Sequence, residues 1–160
     1  MIKAINSTDI TECVNVIRES FLTVANEFGF TKENAPWFTA FATTEERLMW
    51  QFENEHRSMY AYLDDGKIVG YYSLAAIDGH KCELNNLCVL PSYRHNRIGE
   101  ELLKHAFDTA KSLNFTKMQI SIVEENKVVK QWYESMGFVH TGTEKFDFFP
   151  FTCGYMERNI

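Results

Sequence analysis

The apolar period of this chain changes from helix to sheet and back again, and that pattern leaves few folds open. From Ser58 to Leu90 it belongs to strands: Ser58 to Leu63, Ile68 to Ile77 and Cys82 to Leu90, rich in Val, Tyr and Leu. Asp65-Gly66 and Asp78-Gly79 separate them as two-residue hairpin signals, because Asp and Gly tolerate the positive φ that tight hairpin turns require. Upstream, Ile10, Val14, Ile17 and Phe21 recur at helical spacing behind the cap candidates Ser7, Thr8 and Asp9. A second helix opens after Thr43 and Thr44, with Glu45 and Glu46 in its first turn. Downstream, Ile98, Leu102, Leu103, Ala106, Phe107 and Ala110 form a helical stripe directly after a strand. Strand Met118 to Val123, a helix over Asn126 to Met136 closed by Gly137, and strands near Phe138 to Thr141 and Thr152 to Met156 follow; Ile2 to Ile5 is the opening strand. An antiparallel meander feeding a strand-helix-strand crossover predicts an α+β (mixed α/β) architecture. Its mixed, mostly antiparallel sheet has about six or seven strands and is flanked by about four helices.

With 160 residues and no Pro/Ser/Gly-rich linker or repeat, residues 1–160 read as a single domain. A chain of this length buries roughly 70% of its unfolded surface, enough for a core without metal or disulfide staples. No run approaches the roughly 18–20 apolar residues of a spanning helix, and Met1 to Ile10 lacks the apolar centre of a signal peptide, so a cytoplasmic, non-membrane protein is expected. Cys13, Cys82, Cys88 and Cys153 show no Cys-x-x-Cys spacing, so no metal is expected. Cys82 and Cys88, six apart on one predicted strand, should share a face as small buried hydrophobes.

The formal charge of −6 is unevenly placed, since residues 1–66 hold five basic and eleven acidic side chains and thus the whole excess. An acidic half repels phosphate backbones, which argues against nucleic acid as a partner. Positive charge gathers instead at Leu87-Cys88-Val89-Leu90-Pro91-Ser92-Tyr93-Arg94-His95-Asn96-Arg97-Ile98-Gly99-Glu100, a strand that turns through polar residues into a helix. Free backbone N–H groups, the positive end of a helix dipole and two arginines converge there. That is an anion site in outline or, equally, a basic loop capping a helix.

These residues carry a family resemblance. Residues 81–138 resemble the acyl-CoA-binding core of the GNAT acetyltransferase superfamily, whose signature [Gln/Arg]-x-x-Gly-x-[Gly/Ala] reads here Arg94-His95-Asn96-Arg97-Ile98-Gly99. Arg97 stands where the family's first glycine usually is, a substitution compatible with ordinary helix-start dihedrals. Further on, the segment Asn126 to Phe138 (NKVVKQWYESMGF) is similar to the family's Asn-x-x-Ala-x-x-x-Tyr-Glu-x-x-Gly-Phe, with Val129 at the alanine position.

The resemblance implies an acetyl-CoA-dependent N-acetyltransferase. Backbone groups around Leu87 and Val89 would pair with the pantetheine arm as with an added strand. The amides of His95, Asn96, Arg97, Ile98, Gly99 and Glu100 and the Arg94 side chain would hold the pyrophosphate. Asn126 would contact the pantetheine or thiol end, cap its helix, or do both. Tyr133 occupies the family's general-acid position, and its structural alternative is a buried tyrosine with a bonded hydroxyl. Glu83, eleven residues before Arg94, sits where a carboxylate acts as base in the protein-acetylating branch; a carboxylate from residues 27–55 acting through water competes with it. Transfer would be direct, with both substrates bound.

The acceptor is the open element. Phe28, Phe30, Trp37, Phe38 and Phe41, with Phe146, Phe148, Phe149, Phe151 and Tyr155, lie in the regions that build the family's acceptor site. Aromatic faces beside carboxylates suit a cationic small molecule with a primary amine, although such rings equally fill a core or the interface of a homodimer. A peptide or protein amine, and a non-catalytic acyl-CoA sensor, are the other readings.

Overall fold

The computed structural model describes residues 1–160 throughout. Seven strands, β1 (Ile2–Ala4), β2 (Ser58–Asp64), β3 (Lys67–Ala76), β4 (Lys81–Val89), β5 (Lys117–Val123), β6 (Val139–Glu144) and β7 (Cys153–Asn159), form one sheet in the order β1-β2-β3-β4-β5-β7-β6. All neighbours run antiparallel except β4 and β5. The helices are α1 (Ile10–Phe28), α2 (Thr39–Ala42), α3 (Glu45–Asn54), α4 (Ile98–Ser112) and α5 (Lys127–Ser135). The expected α+β order is present, with the four-residue α2 as an addition.

Local chemistry sets most boundaries. Asn6, not Ser7 or Thr8, caps the entry to α1: its side chain accepts from Thr8 N at 2.9 Å while the Asp9 carboxylate accepts from Asn6 N at 2.9 Å. This reciprocal pair satisfies two amides that the helix start would otherwise orphan. Gly29 ends α1 at φ 73°, and Thr44 caps α3 by accepting from Arg47 N at 3.1 Å. Asp65 and Gly66 take φ 48° and 77° between β2 and β3, as a two-residue hairpin demands. Asp78-Gly79 behaves differently. The β3–β4 connection spans Ile77 to His80, because the Asp78 carboxylate accepts from both His80 N and Lys81 N at 2.7 Å and makes the turn with its side chain.

The one irregularity that matters lies inside β4. Tyr71 stands opposite Cys88, but Ser73 stands opposite Asn85, so β4 carries one extra residue between them. Asn86 absorbs it at φ 55°, a left-handed conformation that asparagine tolerates better than most side chains. Cys82 therefore pairs with Ala76 and Cys88 with Tyr71, positions of opposite parity on β3. The two thiols lie on opposite faces of the sheet, contrary to the simple alternation expected from their spacing.

Helices α1 and α4 cover those two faces. Tyr72 points to α4, with its hydroxyl 2.7 Å from His105 Nδ1 and 3.1 Å from Thr109 Oγ1, while Tyr71 turns to the α1 side near Cys13. Ile17, Tyr71, Tyr72, Leu102, Leu103 and Met118 are fully buried in this main core. A Cβ on Gly70 would lie 2.9 Å from Leu102 Cδ1, so glycine is what lets α4 approach so closely.

A second, smaller cluster holds most of the aromatic residues of the two rich stretches. Phe30, Phe38 and Phe151 are buried together, with Phe30 and Phe151 centroids 4.9 Å apart and Phe149 stacked 4.6 Å from Phe151. These rings join the segment after α1 to the β6–β7 loop as packing. Trp37 and Phe148 alone of the ten remain largely exposed, at 61% and 50%.

Candidate active site

Strands β4 and β5 begin side by side and then part. Their parallel pairing covers Lys81 with Lys117, Cys82 with Met118 and Glu83 with Gln119, and stops there. Beyond that rung β4 stays paired with β3 up to Val89, and β5 with β7 up to Val123. The Asn86 bulge bends β4 away, and the result is a fork in the middle of the sheet. An open strand edge inside a sheet presents unpaired N–H and C=O groups, a template for an extended, amide-bearing ligand.

The loop after β4 closes one end of the fork. Pro91–Tyr93 forms a 3-10 turn, Arg94 is extended, and His95 and Arg97 both adopt left-handed backbone, at φ 66° and 62°. The ordinary helix-start dihedrals expected of Arg97 are not what is found. The position requires positive φ, which costs a non-glycine residue about 1–2 kcal/mol, and this is the physical reason a glycine suits it. Glu101 N bonds back to Arg97 O at 3.0 Å, so the amides of Ile98, Gly99 and Glu100 precede the helical ladder and remain without helical partners. Left-handed turns that run into a helix start gather such amides into an anion-binding concavity.

The Arg94 side chain is engaged inward. Its Nε donates to Val89 O at 3.1 Å, and its two terminal nitrogens donate to Thr23 Oγ1 at 3.1 Å and Ser20 O at 2.9 Å, tying the end of β4 to α1. Of five guanidinium protons, one on each terminal nitrogen stays free. Its charge stays at the loop while most of its donors serve the scaffold. Asn96 is exposed and donates to Tyr93 O at 3.2 Å, and Glu100 pairs with Lys104 at 2.8 Å.

Between loop, α1 and α5 lies a cavity of about 660 Å³, well within the 300–1,000 Å³ typical of ligand sites. Leu87, Val89, Arg94, His95, Arg97, Ile98, Gly99, Glu100, Asn126 and Tyr133 all line it; Asn96 and Glu83 do not. A Cβ on Gly99 would sit 3.7 Å from the Trp132 ring, ordinary contact, so only a larger side chain would fill the space above the helix start. Ser20, Phe21, Thr23 and Val24 of α1 line it as well. They were not anticipated from the sequence, although polar Ser20 and Thr23 in an apolar helix were a signal. The Ser20 hydroxyl is buried and makes no hydrogen bond.

Helix α5 supplies two of the expected residues. The Asn126 side chain accepts from Val129 N at 3.3 Å, so it caps α5 while bordering the cavity. Tyr133 is 9% exposed, with Trp132 and Phe138 rings 4.9 Å and 5.4 Å away. Burial, assisted by nearby Cys88, pushes its phenol pKa upward, and no hydrogen bond offsets this. A phenol held protonated and unbonded at a cavity wall is free to donate. Cys88 is buried and its thiol is pushed up to about 12, chiefly by burial, which makes it a poor nucleophile.

Glu83 occupies the last paired rung of the fork. Gln119 Nε2 lies 3.5 Å from its Oε2. Burial raises its carboxyl pKa, against the opposing pull of Arg57 and Gln119. Asn85 and Asn86, two and three residues further on, line a second, smaller cleft of about 170 Å³ with Trp37, Arg47, Gln51 and Arg57. The bulge thus separates two spaces, one reached from Leu87 onward and one from Asn86 backward. The acidic excess behind the expectation of a cationic acceptor does not line that cleft: Glu45, Glu46 and Glu53 stand exposed along α3, and Glu55, just past its end, reaches only the Nε of Arg57. Glu27, from the competing stretch 27–55, lines the large cavity instead.

Comparison with known proteins agrees with this geometry. The fold superposes on the PaiA N-acetyltransferase of Thermoplasma acidophilum, solved in complex with coenzyme A, with a TM-score of 0.84 at 21% identity, covering 100% of this chain and 98% of that one. The ribosomal-protein-alanine N-acetyltransferase of Brucella melitensis gives 0.78 at 17% identity, covering 100% and 99%. An uncharacterized N-acetyltransferase of Mycobacterium tuberculosis is 28% identical over 90 residues, which are 56% of this chain and 58% of that relative's length. Residues 23–138 match the profile of the Acetyltransferase (GNAT) family. The forked sheet, the amide-lined loop and the residue pattern converge with that match, and the chain belongs to the GNAT family of acetyltransferases.

Proposed function

We propose that this protein transfers the acetyl group of acetyl-CoA to a primary amine of a small molecule, by direct attack while both substrates are bound. The fork between β4 and β5 carries the reading, because it joins an amide-lined anion site to a cavity wall bearing an unbonded tyrosine. The pyrophosphate lies on the amides of His95 to Glu100, with the remaining Arg94 protons adding charge, and the pantetheine follows the open edge at Leu87 to Val89. The acetyl carbonyl reaches the bulge, where a β4 amide polarises its oxygen.

The substrate ammonium first loses a proton to Glu83, whose raised pKa makes it a better base when ionised. The amine nitrogen attacks the carbonyl carbon, the tetrahedral adduct gives its second N–H proton to solvent, the carbon–sulfur bond breaks, and the departing thiolate takes the Tyr133 proton. Reprotonation of the phenol from solvent and release of the Glu83 proton close the cycle. The buried, high-pKa Cys88 speaks against a covalent acyl-enzyme. A cytosolic setting, where acetyl-CoA is made and used, goes with this reading, and no helix is long and apolar enough to cross a membrane.

Acetyl-CoA is expected to raise the melting temperature, and Gly99→Glu to abolish that shift by placing a carboxylate over the helix start. An unchanged melting curve in the wild-type protein overturns the proposal. CoA release over a panel of polyamines, amino acids, aminoglycosides and peptides identifies the acceptor.

A further inference from the structure

The cleft on the Glu83 side of the bulge has a chemical character of its own. Its cationic side chains come from separate elements, Arg47 from α3 and Arg57 from the segment entering β2, with polar groups of Gln51, Asn85 and Thr43 beside them and Trp37 and Leu48 as apolar walls. Arg47 makes no side-chain hydrogen bond or ion pair, although α3 also carries Glu45, Glu46 and Glu53. Arg57 spends only Nε on Glu55, which leaves its two terminal nitrogens without a protein partner. Two guanidinium groups with free donors, facing a small space that holds no carboxylate, are unfavourable for a cation and suited to an oxyanion. Guanidinium forks match the geometry of carboxylate oxygens bidentately.

The position adds a constraint. Arg57 is near enough to Glu83 to pull its carboxyl pKa down against burial, so the cationic lining adjoins the residue assigned as base. A molecule spanning the two places its amine toward Glu83 and its opposite end toward the arginines. The volume of about 170 Å³ matches a short acid.

We infer that the acceptor is a small amino acid in the broad sense, a primary amine that also carries a carboxylate or similar oxyanion, held by Arg47 and Arg57 across the bulge from the acetyl group. This rests on the acetyltransferase reading for the role of the amine, while the anion site stands on the cleft alone. It replaces the cationic acceptor suggested by overall charge with one whose charges are separated to match Glu83 and the arginines.

The test uses matched pairs: straight-chain amino acids of increasing length and their primary amides, titrated calorimetrically onto the whole protein and assayed for CoA release. The acids of one chain length are expected to bind at least tenfold more tightly than their amides, and inorganic phosphate to compete. Arg47→Gln, an exposed residue whose side chain bonds to nothing, is expected to bring that preference close to unity; Arg57→Gln should do the same. Amides that bind as well as the acids, an acid preference retained in both variants, or no binding by any acid overturns the inference. Tight, arginine-dependent binding of the acids without CoA release upholds the anion site and removes the acetyltransferase reading instead.

Discussion

The two spaces flanking Asn86 are built from different materials. The large cavity is made mostly of main chain: an open strand edge, left-handed turns at His95 and Arg97, and the unpaired start of α4. The small cleft is made of side chains delivered by four segments, the stretch from Trp37 to Thr43, α3, the entry to β2, and β4. Main-chain sites need only that the backbone reach the right conformation, so they leave a local, contiguous mark in the sequence. Side-chain sites can change from one protein to the next without disturbing the fold, which is how one scaffold serves many acceptors.

Changes that test this contrast differ in size. Tyr133→Phe is expected to have the largest effect, lowering turnover by about 10²–10⁴-fold, the usual contribution of a general acid. Acetyl-CoA affinity, measured by calorimetry, should stay nearly constant, and a matching loss of affinity would place the hydroxyl in binding instead.

Glu83→Gln follows, with a loss of roughly 10²-fold at the optimum. Because burial raises the Glu83 pKa, wild-type activity should fall as pH drops through that value, and this limb should vanish in the variant. The stability sign is opposite. A carboxyl whose folded pKa is raised favours the native state while protonated and loses that contribution as pH rises through the folded value. Glu83→Gln should therefore melt higher than wild type at neutral pH and show no such gain in acid, which thermal scans at two pH values would read.

Arg94→Met is the smallest of the three and tests the scaffold behind the donor cavity. It removes three donated bonds and takes from Val89 O its side-chain donor, while Ser20 O keeps the Thr23 hydroxyl, costing about 2–4 kcal/mol. For a chain of this size that is a fall of about 5–12 °C in melting temperature. A change under one degree would mean that the loop holds its shape without the tie.

The comparison also explains what could be read from the residues alone. The helical stripes of α1 and α4, the Asp65-Gly66 turn and the Gly137 stop, at φ 91°, depend on neighbours in sequence and stand where expected. Asp78-Gly79 misleads because an aspartate can form a turn either with its backbone or with its carboxylate, and the dipeptide does not say which. The bulge at Asn86 escapes alternation rules because one inserted residue inverts the parity beyond it, as the opposed faces of Cys82 and Cys88 show. The motif locates the loop of the donor site but not the inward set of the Arg94 guanidinium, which depends on Thr23 and Ser20, some 70 residues away. The pairing of Arg47 with Arg57 in one cleft left no trace in composition, because the same half carries the acidic excess on its exposed helix.

The bulge makes strand length, rather than strand chemistry, the switch between an open and a closed sheet. Deleting Asn86 would place Leu87 directly across from Tyr72 in an uninterrupted ladder, straighten β4, and let it run on beside Ile120 to Val123 of β5. The outcome would be a better-hydrogen-bonded protein with nowhere to seat a ligand, visible as slowed amide exchange along β5 and loss of any thermal response to acetyl-CoA. A single inserted residue thus separates a closed sheet from one with an opening in its middle.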